Sequence, residues 1–150
     1  MLAKGLISSE YVLGEKEIYN TLILFKDVLP SLGNGETQTH KIANKLSMNA
    51  NVLVFKTDNQ IVGFVAFYAN DKEHHVAYIP YLAVLPNFQR KGYGYVLLKT
   101  VEDDSRKLGM TVLKLEVKKK NLSAQGLYKK FGMETDGDAS ADSIFMRKNL

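Results

Sequence analysis

The chain has 150 residues, of which 45% are hydrophobic and 24% charged, proportions typical of one soluble globular domain, to which we assign residues 1–150. It contains no cysteine, which excludes disulfides, thiolate metal ligands and a cysteine nucleophile and fits a cytoplasmic location. The net charge of +4 suits an anionic cofactor or substrate, and no apolar run reaches the roughly 20 residues of a membrane helix.

Two helices are predicted before the first strands. Apolar residues recur at helical spacing within residues 10–29, where Pro30 marks the stop, and a second helix is expected over residues 37–47. The β-rich runs NVLVFK and IVGFVAFY follow, and the TDNQ between them is typical of a hairpin turn. A third strand is expected over residues 76–85, so the sheet begins antiparallel.

The second half of the chain alternates between helix and strand. A helix is predicted over residues 92–108 with Gly109 as its C-terminal cap, and the strand TVLKLEV follows it. Asn121 is expected to cap a further helix that ends at Gly132, and SIFMRKNL is the predicted last strand. The expected fold class is α+β, with a mixed, mainly antiparallel sheet and helices packed on it.

Pro80 conflicts with its place inside the third predicted strand, because it has no N–H group to donate to a β-ladder. Proline is expected in a strand only at an edge, at a bulge, or where neighbouring strands separate. We therefore predict an irregularity in the sheet near Pro80.

The segment QRKGYG, residues 89–94, lies between a predicted strand and a predicted helix. Unpaired N–H groups and the helix dipole make a helix N-terminus attractive to anions, and Gly92 and Gly94 would let a phosphate approach the backbone closely. Arg90 and Lys91 add positive charge. A tight turn with charged side chains explains the same residues, so the segment alone leaves both interpretations open. It matches neither the Walker phosphate loop nor the dinucleotide-binding fingerprint.

These residues resemble the GNAT superfamily of acetyl-CoA-dependent N-acetyltransferases. Gln89, Gly92 and Gly94 match the loop pattern Q/R-x-x-G-x-G/A of that family. The preceding LAVLPNF is similar to its fourth strand, and LEVKKKNLSAQGLYKKFGM is similar to its fifth strand and the helix that follows. The resemblance covers residues 61–131 and implies a GNAT-like fold whose fourth and fifth strands are splayed apart to admit the thioester. Such a separation would account for Pro80.

The resemblance also implies a site for acetyl-CoA as co-substrate. The backbone of Leu82, Ala83 and Val84 would pair with the pantetheine arm, and an N–H group near Val84 would donate to the oxyanion. Asn121 would contact the cofactor in addition to capping its helix. The loop would hold the pyrophosphate through its backbone amides, and its expected cofactor-binding residues are Gln89, Arg90, Lys91, Gly92, Tyr93, Gly94 and Tyr95.

Acetyl transfer to an amine requires an unprotonated amine, a donor to the oxyanion and a proton for the CoA thiolate. The resemblance implies Tyr128 as the acid, although the same side chain also continues the apolar stripe of its helix. Glu116, five residues before Asn121, matches a glutamate that assists deprotonation in acetyltransferases acting on protein N-termini. An ion pair with Lys114 or Lys118, or simple solvation, would explain Glu116 equally well.

We therefore expect a single-domain enzyme that moves an acetyl group from acetyl-CoA directly to a primary amine of a small molecule, peptide or protein, as a monomer or homodimer. A metal is not expected, because His40, His74 and His75 lack the spacing of metal ligands. Neither a nucleic acid nor a membrane is an expected partner. The alternatives are a non-catalytic acyl-CoA-binding regulatory module on the same fold and a nucleic-acid-binding domain that would use the lysines at 118–120.

Overall fold

The computed structural model describes residues 7–32 and 35–150, which form seven strands, four α-helices and two short 3-10 helices. The strands are β1 (Ile7–Tyr11), β2 (Asn51–Thr57), β3 (Gln60–Tyr68), β4 (Val76–Val84), β5 (Val112–Lys118), β6 (Glu134–Asp138) and β7 (Ser143–Asn149). The helices are α1 (Glu15–Leu24), α2 (Glu36–Asn49), α3 (Tyr93–Lys107) and α4 (Leu122–Phe131). The strands are hydrogen-bonded in the order β1-β2-β3-β4-β5-β7-β6, which confirms the predicted mixed, mainly antiparallel sheet.

The described residues divide into two compact units. The first contains the chain up to Phe67 together with Tyr81–Leu97, and the second contains Tyr68–Pro80 together with Leu98–Leu150. The assignment of residues 1–150 to one functional domain stays a prediction.

In the first unit, β1, β2 and β3 form an antiparallel ladder. The hairpin predicted at TDNQ is confirmed, because Asp58 and Asn59 both adopt the left-handed conformation of a type I′ turn, with φ of 50° and 63°. Helices α1 and α2 are joined at the surface by a hydrogen bond from the Asn44 amide to the Glu15 carboxylate. The largest fully buried side chains of this unit are Ile18, Leu22, Phe25, Leu32, Leu46, Leu53, Phe64, Phe67 and Leu97.

In the second unit, both glycines that are predicted to end helices do so. Gly109 and Gly132 have φ of 86° and 100°, and the next residue donates its N–H back to the last helical turn in each case: Met110 to the Ser105 carbonyl and Met133 to the Tyr128 carbonyl. These glycines therefore end α3 and α4 where the sequence predicts.

A buried carboxylate links three elements of the second unit. Glu102 on α3 is only 2% exposed and pairs with Arg106 at 3.0 Å and with Lys148 of β7 at 3.1 Å. The Lys148 ammonium also lies 4.0 Å from the ring centroid of Phe131 on α4. Lys99 adds a third pair with Glu102 at 3.4 Å, and together these cations compensate the cost of burying the carboxylate.

The irregularity predicted at Pro80 is confirmed. Strands β4 and β5 pair in parallel from Val76↔Val112 to Ile79↔Leu115, and the ladder stops directly before Pro80 although both strands continue beyond it. A residue without an N–H group cannot extend the ladder, so the proline coincides with the last paired position.

Two strands and one set of helix bounds differ from the sequence prediction. The helix predicted over residues 10–29 is shorter, and β1 overlaps its first residues. Both β1 and β6 are polar edge strands with little burial, so neither shows the alternation of apolar residues that predicts a strand. Their pairing with β2 and β7 determines their conformation, and that pairing is not visible in the local sequence.

Within residues 7–32 and 35–150, no helix is long and apolar enough to cross a membrane.

Candidate functional site

The end of β4, where the pantetheine arm is predicted to bind, is held closely by its neighbours in the first unit. Gly63 on β3 leaves little room for a side chain: a Cβ atom there would lie 3.2 Å from the Ala83 carbonyl oxygen and 3.1 Å from Leu97 Cδ1. The N–H of Leu85 donates to the Val62 carbonyl at 2.9 Å. The backbone of Leu82, Ala83 and Val84 is thus fixed from the β3 side.

A side-chain hydrogen bond closes the loop that follows. The Gln89 amide nitrogen donates to the Val84 carbonyl at 2.9 Å, and the N–H of Phe88 donates to the Leu85 carbonyl at 2.9 Å. Gln89, the glutamine of the loop pattern, therefore stabilises the structure by connecting the loop to the end of β4. The sequence motif located this residue without indicating its partner.

Between the loop and the start of α3, the backbone changes direction through two residues in the left-handed conformation. Arg90 and Gly92 have φ of 62° and 90°, and a non-glycine residue in this region signals a conformation imposed by its surroundings. The first intrahelical hydrogen bond of α3 runs from the N–H of Val96 to the Gly92 carbonyl at 3.2 Å, so the N–H groups of Tyr93 and Gly94 precede it. This is the geometry in which a helix N-terminus accepts an anion.

The charge at this loop is positive and uncompensated. Arg90 and Lys91 are both exposed, and neither has a carboxylate partner in the described part of the chain. The Lys91 ammonium lies 5.7 Å from the ring centroid of Phe88, which itself packs edge-on against buried Tyr93. The packed rings of Phe88 and Tyr93 therefore support the loop, and the side chains of Arg90 and Lys91 stay in solvent.

The ring of Tyr128 is buried, whereas its hydroxyl group is not hydrogen-bonded to any described residue. The helix that carries it begins at the predicted cap, where the Asn121 Oδ1 accepts the N–H of Ala124 at 3.1 Å. Burial raises the pKa of Tyr128 to about 12, because desolvation disfavours the phenolate. Tyr128 thus completes the apolar stripe of α4 and also keeps a proton available at neutral pH.

Glu116 extends from the exposed face of β5 and is held by a serine. Its Oε2 accepts a hydrogen bond from the Ser143 hydroxyl at 2.7 Å. The alternative prediction of an ion pair with Lys114 or Lys118 is wrong for Lys114, which pairs with Asp136 at 3.4 Å, and no pair with Lys118 is present among the described residues. Sequence reasoning missed Ser143, because it lies 27 positions from Glu116 and only the β5–β7 register brings it near.

The predicted site residues belong to both units. Leu82 to Tyr95 lie in the first unit, and Glu116, Asn121 and Tyr128 lie in the second. In the described residues, no group of three or more His, Asp or Glu side chains could hold a metal ion.

An open groove of about 490 Å³ lies elsewhere in the first unit, on the surface of α1 and α2. Its lining is polar and consists of Glu15, Thr37, His40, Lys41 and Asn44. None of the residues predicted for the site contributes to it.

Similarity to known proteins covers most of the chain. Residues 21–133 match the sequence profile of the Acetyltransferase (GNAT) family. A Bacillus subtilis (strain 168) protein with the provisional name of ribosomal protein bS18-alanine N-acetyltransferase is 31% identical over 88 residues. That alignment covers 59% of this chain and 56% of the relative, so it spans little more than half the length of the curated protein.

Two solved structures show the same fold over nearly the whole chain. PH1933 from Pyrococcus horikoshii OT3 has a TM-score of 0.79 and 28% identity, and the match covers 97% of this chain and 99% of that one. The structure of yncA from Salmonella typhimurium with its cofactor acetyl-CoA has a TM-score of 0.73 and 16% identity, covering 96% of this chain and 94% of that one. The family profile spans most of the chain, and the protein therefore belongs to the GNAT acetyltransferase family.

Proposed function

We propose that this protein is an N-acetyltransferase that transfers the acetyl group of acetyl-CoA directly to a primary amine. The observation that carries the proposal is the loop from Gln89 to Gly94, a left-handed turn at a helix N-terminus whose two cations have no carboxylate partner among the described residues. Such a loop suits a pyrophosphate, and family membership makes acetyl-CoA the expected donor of that group.

The cofactor would be held mainly through backbone groups. Leu82, Ala83 and Val84 would pair with the amides of the pantetheine arm, as an added strand pairs with a sheet edge. The N–H groups from Arg90 to Tyr95 would donate to the pyrophosphate, and Gln89 would keep the loop closed. Asn121 would add a contact from the cap of α4.

Tyr128 and Glu116 would supply the proton transfers. The amine nitrogen forms a bond to the thioester carbon, and the carbon–sulfur bond breaks as the tetrahedral intermediate collapses. Glu116 would accept the proton that the amine loses, directly or through a water molecule. Tyr128 would give its proton to the departing sulfur and regain one from solvent, so the products are an amide and free CoA.

The α-amine of a protein or peptide N-terminus is the acceptor class that we propose. Glu116 matches the position of the glutamate found in N-terminal acetyltransferases, and the Bacillus subtilis relative carries the provisional name of a ribosomal protein bS18-alanine N-acetyltransferase. An exposed strand face, rather than an enclosed cavity, carries Glu116, which suits an extended peptide better than a small molecule.

Release of free CoA thiol in an amine panel tests this proposal. The panel contains a peptide that begins with alanine, the same peptide with a blocked N-terminus, a blocked peptide with an internal lysine, an amino sugar and spermidine. We expect turnover with the free alanine peptide and none with its blocked form. Turnover only with the amino sugar or spermidine would overturn the acceptor class while leaving acetyl transfer itself in place.

A further inference from the structure

The serine that holds Glu116 is buried and lies on the adjacent strand. Ser143 is fully buried at the start of β7, where it is paired with Lys118, and Glu116 is paired with Phe145. Ser143 and Glu116 are therefore diagonal neighbours on one face of the β5–β7 ladder. The 2.7 Å distance between the Ser143 Oγ and the Glu116 Oε2 is that of a strong hydrogen bond to a charged acceptor.

The direction of the hydrogen bonds around Ser143 follows from the number of protons. A carboxylate can only accept, so the single hydroxyl proton of Ser143 is donated to Glu116. The 2.9 Å contact between the Ser140 and Ser143 hydroxyl oxygens must then have Ser140 as donor. Ser140 in turn accepts the N–H of Asp142 at 3.2 Å. The three groups form a one-way chain that ends on Glu116.

Backbone contacts fix this chain at both ends. The N–H groups of Ala139 and Ser140 donate to the Ser143 carbonyl at 2.9 and 3.2 Å, and the N–H of Lys119 donates to the Asp142 carbonyl at 2.8 Å. The turn between β6 and β7 is thus tied to the end of β5, the strand that carries Glu116. The other carboxylate oxygen, Oε1, has no hydrogen-bond partner in residues 7–32 and 35–150.

We propose that Ser143, supported by Ser140, is a positioning residue that holds the Glu116 carboxylate in one orientation and leaves Oε1 to accept the proton of the acceptor amine. The inference rests on the proposed function, because it assigns a role to Ser143 only through Glu116. An exposed glutamate on a strand has several rotamers of similar energy, and a fixed hydrogen bond selects one of them before the substrate arrives.

A double-mutant cycle tests the inference. Ser143→Ala, Glu116→Gln and the double variant are compared with the wild type for kcat, for the KM of the amine and for the KM of acetyl-CoA. We expect Ser143→Ala to lower kcat by about tenfold in the wild-type background and by less than about twofold in the Glu116→Gln background, because residues that act as a unit are not additive. The KM of acetyl-CoA should not change.

The matched control is Ser105→Ala, which removes a hydroxyl that is equally buried but has no hydrogen-bond partner in the part of the chain that the structure describes, and we expect it to leave kcat unchanged. Ser143→Thr, which keeps the hydroxyl, should restore much of the lost turnover. Thermal unfolding of each variant shows whether it folds; if Ser143→Ala does not, exposed Ser140→Ala takes its place in the cycle, with a loss of about threefold expected in the wild-type background alone.

Equal losses in both backgrounds, or an unchanged kcat for Ser143→Ala, would overturn the inference. An active wild type in which Glu116→Gln has no effect would overturn it as well, because Glu116 would then not be the base. Absence of acetyl transfer by the wild type itself would instead refute the proposed function. Failure of the proposed function and failure of the inference about Ser143 therefore give different results.

Discussion

At the scale of a single residue, Tyr128 combines a packing role with the role of acid that we propose for it. Its ring belongs to the apolar stripe of α4, and its hydroxyl keeps a proton because burial raises its pKa to about 12. Tyr128→Phe removes only the hydroxyl. We expect kcat to fall by about 10²-fold, the usual contribution of a general acid, with the KM of acetyl-CoA changed by less than about twofold.

Steady-state kinetics with the accepted peptide measures this effect. Tyr19→Phe is the matched control, since Tyr19 stacks on His40 at 3.9 Å in the first unit and has no place in the proposed site. Normal turnover by Tyr128→Phe would remove the phenol from the mechanism.

Burial of the same phenol predicts a loss of stability in alkaline solution. The folded-state pKa of about 12 exceeds the ordinary value of 10.0, so the contribution of Tyr128 to the free energy of unfolding is complete below pH 10 and is lost as the pH rises toward 12. The total is on the order of 2–3 kcal/mol, at about 1.4 kcal/mol for each unit of pKa difference.

Urea denaturation between pH 8 and pH 11 checks this prediction. The free energy of unfolding should decrease above pH 10 more steeply for the wild type than for Tyr128→Phe, which has no proton to lose at this position. Parallel pH dependence in the two proteins would show that the phenol titrates normally.

Some residues of the candidate site could be predicted from the sequence, and others could not. The spacing from Glu116 to Asn121 and Tyr128 located a carboxylate, a helix cap and a buried phenol, and the structure confirms the cap and the burial. The partner of Glu116 could not be predicted. Ser143 approaches Glu116 through a ladder register that depends on the whole β5–β7 pairing rather than on any local pattern.

At the scale of an element, the loop before α3 requires a positive φ at Gly92, a conformation that glycine adopts at little cost in free energy. Gly92→Ala places a Cβ at a φ of 90°, which costs about 1–2 kcal/mol for an alanine, and we expect the added methyl group to hinder the approach of the proposed pyrophosphate to the backbone. We expect the Kd of acetyl-CoA to increase by at least about tenfold, equivalent to about 1.4 kcal/mol of binding free energy.

Gly109→Ala is the matched control for this change. Gly109 has a φ of 86°, and open space surrounds its Cβ position, so the substitution introduces similar strain at the opposite end of α3. Calorimetric titration should give weaker binding for Gly92→Ala alone. Equal weakening in both variants would mean that strain in α3, and not the loop, affects the affinity.

Elements differed in how well the sequence predicted them. The helix α4 has an N-cap, an apolar stripe and a terminal glycine, and its bounds were predicted closely. In contrast, β6 reads ETDGD and contains a glycine with φ of 83°, features typical of a turn. It becomes a strand because β7 supplies its hydrogen bonds, and such long-range pairing overrides local preference.

At the scale of the whole molecule, the sequence motifs identify the proposed donor better than the acceptor. The loop and the end of β4 lie in the first unit and Glu116 and Tyr128 in the second, so the proposed roles are distributed over both. A shared fold supports many acceptors, because acceptor recognition depends on side chains that vary around a constant cofactor site. The N-terminal helices carry no motif from which an acceptor could be inferred.

We propose above all that this protein transfers the acetyl group of acetyl-CoA to an amine. The most direct test incubates the protein with ¹³C-acetyl-CoA and a peptide digest of total soluble protein and identifies labelled peptides by mass spectrometry. We predict labelled α-amines in amounts that match the CoA released, with labelling greatly reduced for Tyr128→Phe. Saturable binding of acetyl-CoA without labelled peptides above the level of that variant would contradict the claim and would indicate a non-catalytic acyl-CoA-binding module.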